Sequence, residues 1–358
     1  MPESSVSPFN NTSGALAYKW VRITYKANGT AAPYYVNGTS SSTAAVKQTQ
    51  VCWNGSTEVL LSGAATCPGM GQAYQPVYVL TSLAVTSSGA RRMTQEEIAL
   101  NTLPPLPAGL TFDGPNPTFA NAPSSNNYGV SGIDSHTDNS TGKSCGSGQP
   151  SLPAIGAWDN SAVTSLVNAI PSKRDGNYVG SGSTTPDVEN INSALSSQWK
   201  TVDGLNAVVT TLTNLASPSN VYSGNQSNIN VGSDASPQIT VVNGDLALSG
   251  KTTGAGILLV TGTLNFNGNP SFDGIVLVIG KGSMSVSGGG NGEFDGAVFI
   301  ARTLDSSGNQ LASGSAPGSP TLDWNGGGGN GIVFDSCYTS NLNNLFTYQK
   351  ISFRELPY

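Results

Sequence analysis

The chain has 358 residues, enough for two or three domains and a full hydrophobic core, yet only 10% are charged where about 25% is ordinary. So little Lys, Arg and Glu argues against a coiled coil or a body of long surface helices, and 44 glycines point to turns and strands instead. Fifteen basic against 21 acidic residues give a net charge of -6 with no basic run, so nucleic acid is not an expected partner.

No stretch of about 18 apolar residues occurs, and the N-terminus lacks a charged segment followed by an apolar one. Neither a membrane span nor an export signal is therefore expected within this chain.

Residues 1–102 are expected to form a β-rich domain. Trp20 to Lys26 alternates around Val21, Ile23 and Tyr25, and Tyr34-Tyr35-Val36 ends at the turn pair Asn37-Gly38. The run Val77 to Thr86, the turn Ser87-Ser88-Gly89 and the segment Arg91 to Leu100 read as a hairpin, although Met93 to Leu100 also has helical propensity. On a strand the adjacent Glu96 and Glu97 point to opposite faces, so they cannot act as an acid/base pair and are expected to be solvated.

Leu103-Pro104-Pro105-Leu106-Pro107 cannot continue a helix or a central strand and marks a boundary. Residues 103–158, rich in Asn, Ser, Gly and Pro, are expected to be a linker. Residues 159–235 carry helical signals. Asp159 caps a segment with Val163, Leu166, Val167 and Ile170 that Pro171 ends; Asp187 to Trp199 has Val188, Ile191, Leu195 and Trp199 at three- and four-residue spacing; and a third segment opens at Asp203 with Leu205, Val208, Leu212 and Leu215.

From Ile239 the chain repeats every six residues: ITVVNG, DLALSG, KTTGAG, ILLVTG, TLNFNG, NPSFDG, IVLVIG, closed by Gly244, Gly250, Gly256, Gly262, Gly268, Gly274 and Gly280. The residue two before each glycine is apolar except Gly254, and Leu246, Leu258, Leu264 and Val276 recur four before; such positions share one face of an extended strand, and a glycine can turn a corner with positive φ. Three hexapeptides make an 18-residue unit, so residues 236–358 are expected to be a parallel β-solenoid and tail, with a glycine-rich antiparallel meander as the rival. The predicted fold class is thus mainly β, with a short helical middle region and a C-terminal solenoid of about 18-residue rungs.

The stretches opening each unit, such as Ile257 to Val260 and Ile275 to Ile279, are apolar at nearly every position, which marks strands buried on both faces. The segment Leu205 to Leu215 is the economical cover, and the other reading is an exposed patch that recruits a partner.

Cys52, Cys67, Cys145 and Cys337 have no zinc spacing, and in so polar and weakly charged a chain they read as two disulfides. Of three connectivities, Cys52 with Cys67 and Cys145 with Cys337 is favoured, the first closing a local loop worth about 3 kcal/mol. His136, the single histidine, lies in a polar loop stretch, and no nucleophile-elbow motif surrounds any serine, so a hydrolase triad is not expected.

Asp273 and Asp295 occupy equivalent places in successive units with Glu293 nearby, a spacing within glycosidase range; Asp before Gly is also ordinary turn chemistry. Asp134, Asp138 and more distantly Asp159 are candidate calcium ligands, without a complete EF-hand pattern. Trp53 and Trp324 are candidate glycan contacts or core residues.

Several stretches carry a family resemblance: LAYKWVRITYKANGTAAPYYVNG (Leu16 to Gly38), VCWNG (Val51 to Gly55), PVYVLTSLAVTSSGARR (Pro76 to Arg92), LPPLPAGLTFDGPNP (Leu103 to Pro117), PAIGAWD (Pro153 to Asp159) and Ile239 to Arg302. Together they resemble the periplasmic part of PilX-type, minor-pilin-like type IV pilus assembly proteins. The resemblance implies a non-enzymatic protein, periplasmic or extracellular and surface-associated, that works through contacts with pilus or other envelope proteins and has no catalytic or cofactor-binding residues. It also implies a hydrophobic N-terminal anchor helix, which these residues do not contain. The opposing expectation is an extracellular carbohydrate-active or glycan-binding solenoid using Asp273, Glu293 and Asp295.

Overall fold

The computed structural model describes residues 19–28, 49–53, 57–60, 67, 75–85, 90–101, 103–138, 142–145, 148–251, 253–269, 271–288, 292–325, 331–340, 342 and 345–356. Tyr34 to Gly38 and the Ser87-Ser88-Gly89 turn lie outside them. The protein is mainly β. It divides into two compact units, residues 1–102 with 347–358, and residues 103–346. No helix among the described residues is long and apolar enough to cross a membrane.

In the first unit the hairpin forms as the alternation suggests: Tyr78–Val85 and Arg91–Leu100 pair antiparallel, Lys19–Tyr25 joins one side, and Tyr348–Leu356 joins the other. The last strand corrects the expectation that residues up to 358 end the repeat region. Its sequence alternates only from Ile351 to Arg354, and the register shifts between Lys350 and Ser352.

The alternation in Lys19–Tyr25 is inverted with respect to burial. Val21, Ile23 and Tyr25 are 62%, 63% and 55% exposed, whereas Trp20, Arg22 and Thr24 are half-buried. Glu97 also departs from expectation: it is buried, and its carboxylate takes the Lys26 ammonium at 2.9 Å and the Ser352 hydroxyl at 2.7 Å. Those donors outweigh its burial and hold its pKa below the usual range.

The second unit is built on two long parallel strand series. In one, Gln238–Asn243, Thr253–Val260, Ser271–Gly280 and Glu293–Arg302 lie side by side; in the other, Leu246–Gly250, Thr263–Gly268, Ser283–Ser287 and Thr321–Asn325. Ile239 pairs with Ile257 and Ile257 with Ile275, so the sequence repeat of 18 is the pairing register.

Each unit holds two strands where three hexapeptides suggested three. Gly256, Gly274 and Gly296, at φ +117°, +139° and +141°, stack in register, and the long strands bend there without losing their hydrogen bonds. Two of the seven repeat glycines, Gly244 and Gly262, do not have positive φ; a side chain at either would meet neighbouring backbone.

Residues 103–158 are not a linker. Leu110–Asp113 pairs with Glu293–Arg302, Thr118–Ala120 with Thr321–Asn325, and Gly129–Ser131 with Gly331–Val333, all parallel, so this polar stretch continues both series. Ile155–Ala157 and Val188–Asn190 then add beside Leu110–Asp113. Strands of three or four residues leave little periodicity to read, yet Leu110, Phe112, Val130 and Ile155 are fully buried.

Helix Asn160–Ala169 is capped by the Asp159 carboxylate, which accepts from the Ala162 N–H at 2.7 Å, and it ends before Pro171. The expected second helix is absent. Asp187 to Trp199 forms a short strand and then turns, because the Asn190 side chain accepts from the Asn192 N–H and offers the backbone an alternative to the helix. Its apolar residues are still buried, with Ile191 accepting from Ala194 and Leu195 in a single turn.

The third helix, Val202–Leu215, starts at Thr201 rather than Asp203 and packs on Gln238–Asn243 and Ser271–Gly280. One face of the long strands, including Val260, Val276, Val278 and Ile300, lines the main core. The alternate residues Leu259, Leu277 and Phe299 are equally buried on the other face, where Trp199 lies against Phe299 with ring centroids 4.4 Å apart.

Candidate functional site

The strand register brings the repeat acids together: Asp273 is the direct partner of Asp295, and Glu293 sits two residues before Asp295 on the same face. Parallel strands are about 4.8 Å apart, so like charges are forced close. Asp234, on the turn closed by the Ser233 and Ser236 pairing, hydrogen-bonds to Asp273. Asp138, Asp234 and Asp273, with Pro237, Ala255, Cys337, Tyr338 and Leu342, line a cavity of about 110 Å³.

Burial pushes the Asp273 pKa up to about 8, reinforced by the hydrogen bond to Asp234 and the charges of Asp234, Asp295 and Glu293. Its Oδ1 is buried without a hydrogen-bond partner. Asp273 therefore keeps its proton at neutral pH. That is acid/base chemistry in principle, in a cavity smaller than the roughly 300 Å³ of an ordinary ligand pocket.

Next to the cavity, two loops hold each other by reciprocal carboxylates. Asp134 accepts from the N–H groups of His136, Gln149 and Ser336 and from the Ser336 hydroxyl. Asp335, fully buried, accepts from the Ser135 hydroxyl and the N–H groups of Thr137 and Cys337. Cys145 and Cys337 close the same junction with a disulfide, Cα to Cα 5.6 Å, and Cys52 is joined to Cys67 at 5.7 Å. Both pairs follow the favoured connectivity, and two disulfides point to an oxidising, non-cytoplasmic compartment.

Of the residues expected as calcium ligands, Asp134 is engaged by these bonds and Asp138 lines the cavity. Burial raises the Asp134 carboxyl, yet the donors from Gln149, Ser336 and His136 overcome it and hold its pKa low, so its oxygens are already occupied. Asp138 faces the acidic cavity instead, and Asp159 is a helix cap. Among the described residues, the group close enough to share an ion is Cys145, Asp335 and Cys337, whose two sulfurs are bonded to each other.

His136 Nδ1 lies 3.4 Å from the Asp134 carbonyl oxygen, and among the described residues no serine or cysteine side chain bonds to its ring. Trp324 is buried between Tyr128 and Phe294, and the half-buried Trp53 packs on the Val51, Val77 and Ala99 cluster.

Two features escaped the sequence. Asp234 sits alone in a polar turn with nothing to link it to Asp273. The second is the solvent face of the four-stranded sheet, where Val21, Ile23 and Tyr25 are joined by Tyr348 and Phe353, each 52% exposed. The register puts all five on one side, together with Tyr78, Leu80 and Ile98 and with the charged Glu96, Lys350 and Glu355. No protein-family model, curated protein or solved structure matches the chain.

Proposed function

We propose that the protein is a non-enzymatic structural or assembly component of the cell envelope, periplasmic or extracellular, resembling minor-pilin-like type IV pilus assembly proteins and acting through protein contacts. The observation that carries this reading is the apolar solvent face of the four-stranded sheet. Five large apolar side chains in one exposed patch mark a contact surface rather than random surface composition. The two parallel series are read as a β-solenoid bent at its glycine column, whose shared hydrogen-bond ladders resist deformation. Disulfides suit a protein that leaves the cytosol.

The exposed edge strand makes the test specific. Surface fibres sheared from cells producing the protein should carry it with them, and Ile23→Asp together with Val21→Asp should move it to the soluble fraction while its melting temperature stays near that of the parent. Equal recovery of both forms with the fibres would remove the sheet face from the proposal.

A further inference from the structure

On the same sheet, three phenols from strands far apart in sequence converge. Tyr25 and Tyr78 are directly opposed in the strand register, with ring centroids 5.2 Å apart, and Tyr348 reaches over from the last strand to lie 5.8 Å from Tyr78. Tyr78 thus has a phenol ring on either side of its own. Tyr25 and Tyr348 are more than half exposed, so a reagent reaches them from solvent.

We propose that Tyr25, Tyr78 and Tyr348 form an oxidative cross-linking site, where hydrogen peroxide used by a haem peroxidase joins Tyr78 to one of its two neighbours. Each of two phenols gives up one hydrogen atom, a proton with an electron, to the oxidant. The two phenoxyl radicals pair through their ortho carbons to make one carbon–carbon bond. The hydrogens displaced from those carbons move to the oxygens, restoring both hydroxyls. One peroxide becomes two waters, and the protein is lighter by two hydrogens.

The other tyrosine pair in ring contact among the described residues, Tyr128 with Tyr178, is a built-in contrast. Its centroids are 6.1 Å apart, but both side chains are fully buried and both hydroxyls lack partners. Closeness alone therefore does not define the site; closeness with solvent access does. The cross-link would fasten the first or last strand of the sheet to Tyr78–Val85, in a compartment already oxidising enough for disulfides.

The test uses the intact, disulfide-bonded protein at low concentration with a haem peroxidase and limiting hydrogen peroxide. The expected result is a monomer lighter by two hydrogens, bityrosine fluorescence, and a proteolytic fragment linking Tyr78 to Tyr25 or Tyr348. Tyr78→Phe should reduce that signal to background. As a control for sheet integrity, the double variant Tyr25→Phe with Tyr348→Phe, which keeps Tyr78, should do the same with an unchanged circular dichroism spectrum. Cross-links that map to other tyrosines, that join only separate molecules, or that persist in both variants would overturn the proposal.

Discussion

Replacing Gly274 by valine should destabilise the 103–346 unit by about 4 kcal/mol or more, read as the shift of its denaturant unfolding curve by tryptophan fluorescence. Two effects add. Gly274 has φ +139°, which a β-branched residue cannot adopt without strain, and a Cβ there would run into the Gly256 carbonyl oxygen of the neighbouring strand. Gly256, Gly274 and Gly296 are in register, so relief by shifting one strand would press on the next. Gly142→Ala is the matched control: φ is +63°, yet nothing lies within 4 Å of an added Cβ, so the cost should stay near 1 kcal/mol. Similar losses in the two variants would mean that backbone conformation, and not stacking of the strands, sets the requirement for glycine.

Asp273→Asn should flatten the fall in stability that the parent shows as pH rises from 4 to 8. In the folded protein burial and the neighbouring Asp234, Asp295 and Glu293 hold the Asp273 proton up to about 8, while in the unfolded chain it leaves near the ordinary value of 3.8. Between those limits the native state binds more protons than the unfolded state, so stability decreases with rising pH and the loss is complete above 8. Asp138, which also lines the cavity, adds charge of the same sign. Because the carboxyl is partly exposed, the difference at pH 9 is put at roughly 2 kcal/mol in favour of the variant. Thermal melts of both proteins across this range measure it. A parent whose stability is level from pH 4 to 8 would show that Asp273 ionises freely and that the cavity is open to water.

The repeat region was the most legible part of the chain. A period of 18 with apolar residues at fixed offsets becomes the pairing register, and the recurring Phe-Asp-Gly, in a unit lengthened to 22 residues, placed Asp273 beside Asp295. What could not be read is the continuation of the strand series by residues 103–158. Leu110–Asp113 and Thr118–Ala120 are too short to show a period, and their partners in the two series lie about two hundred residues away.

Burial of polar residues was equally hidden. Asp113 is buried in full with both carboxylate oxygens unpartnered, and burial alone raises its pKa far above the usual value. Nothing in Leu110-Thr111-Phe112-Asp113 distinguishes that aspartate from a surface turn residue. The strand Lys19–Tyr25 misleads in the opposite sense: alternation identifies a strand but not which face meets water, because a contact surface and a core face use the same side chains.

The choice between a contact protein and a carbohydrate-active one comes down to a paired assay of the parent, Ile23→Asp and Asp295→Asn on a panel of neutral and acidic polysaccharides and on sheared surface fibres. A contact role predicts no new reducing ends from any of the three and loss of fibre retention in Ile23→Asp alone. Reproducible polysaccharide cleavage by the parent, abolished in Asp295→Asn, would contradict it.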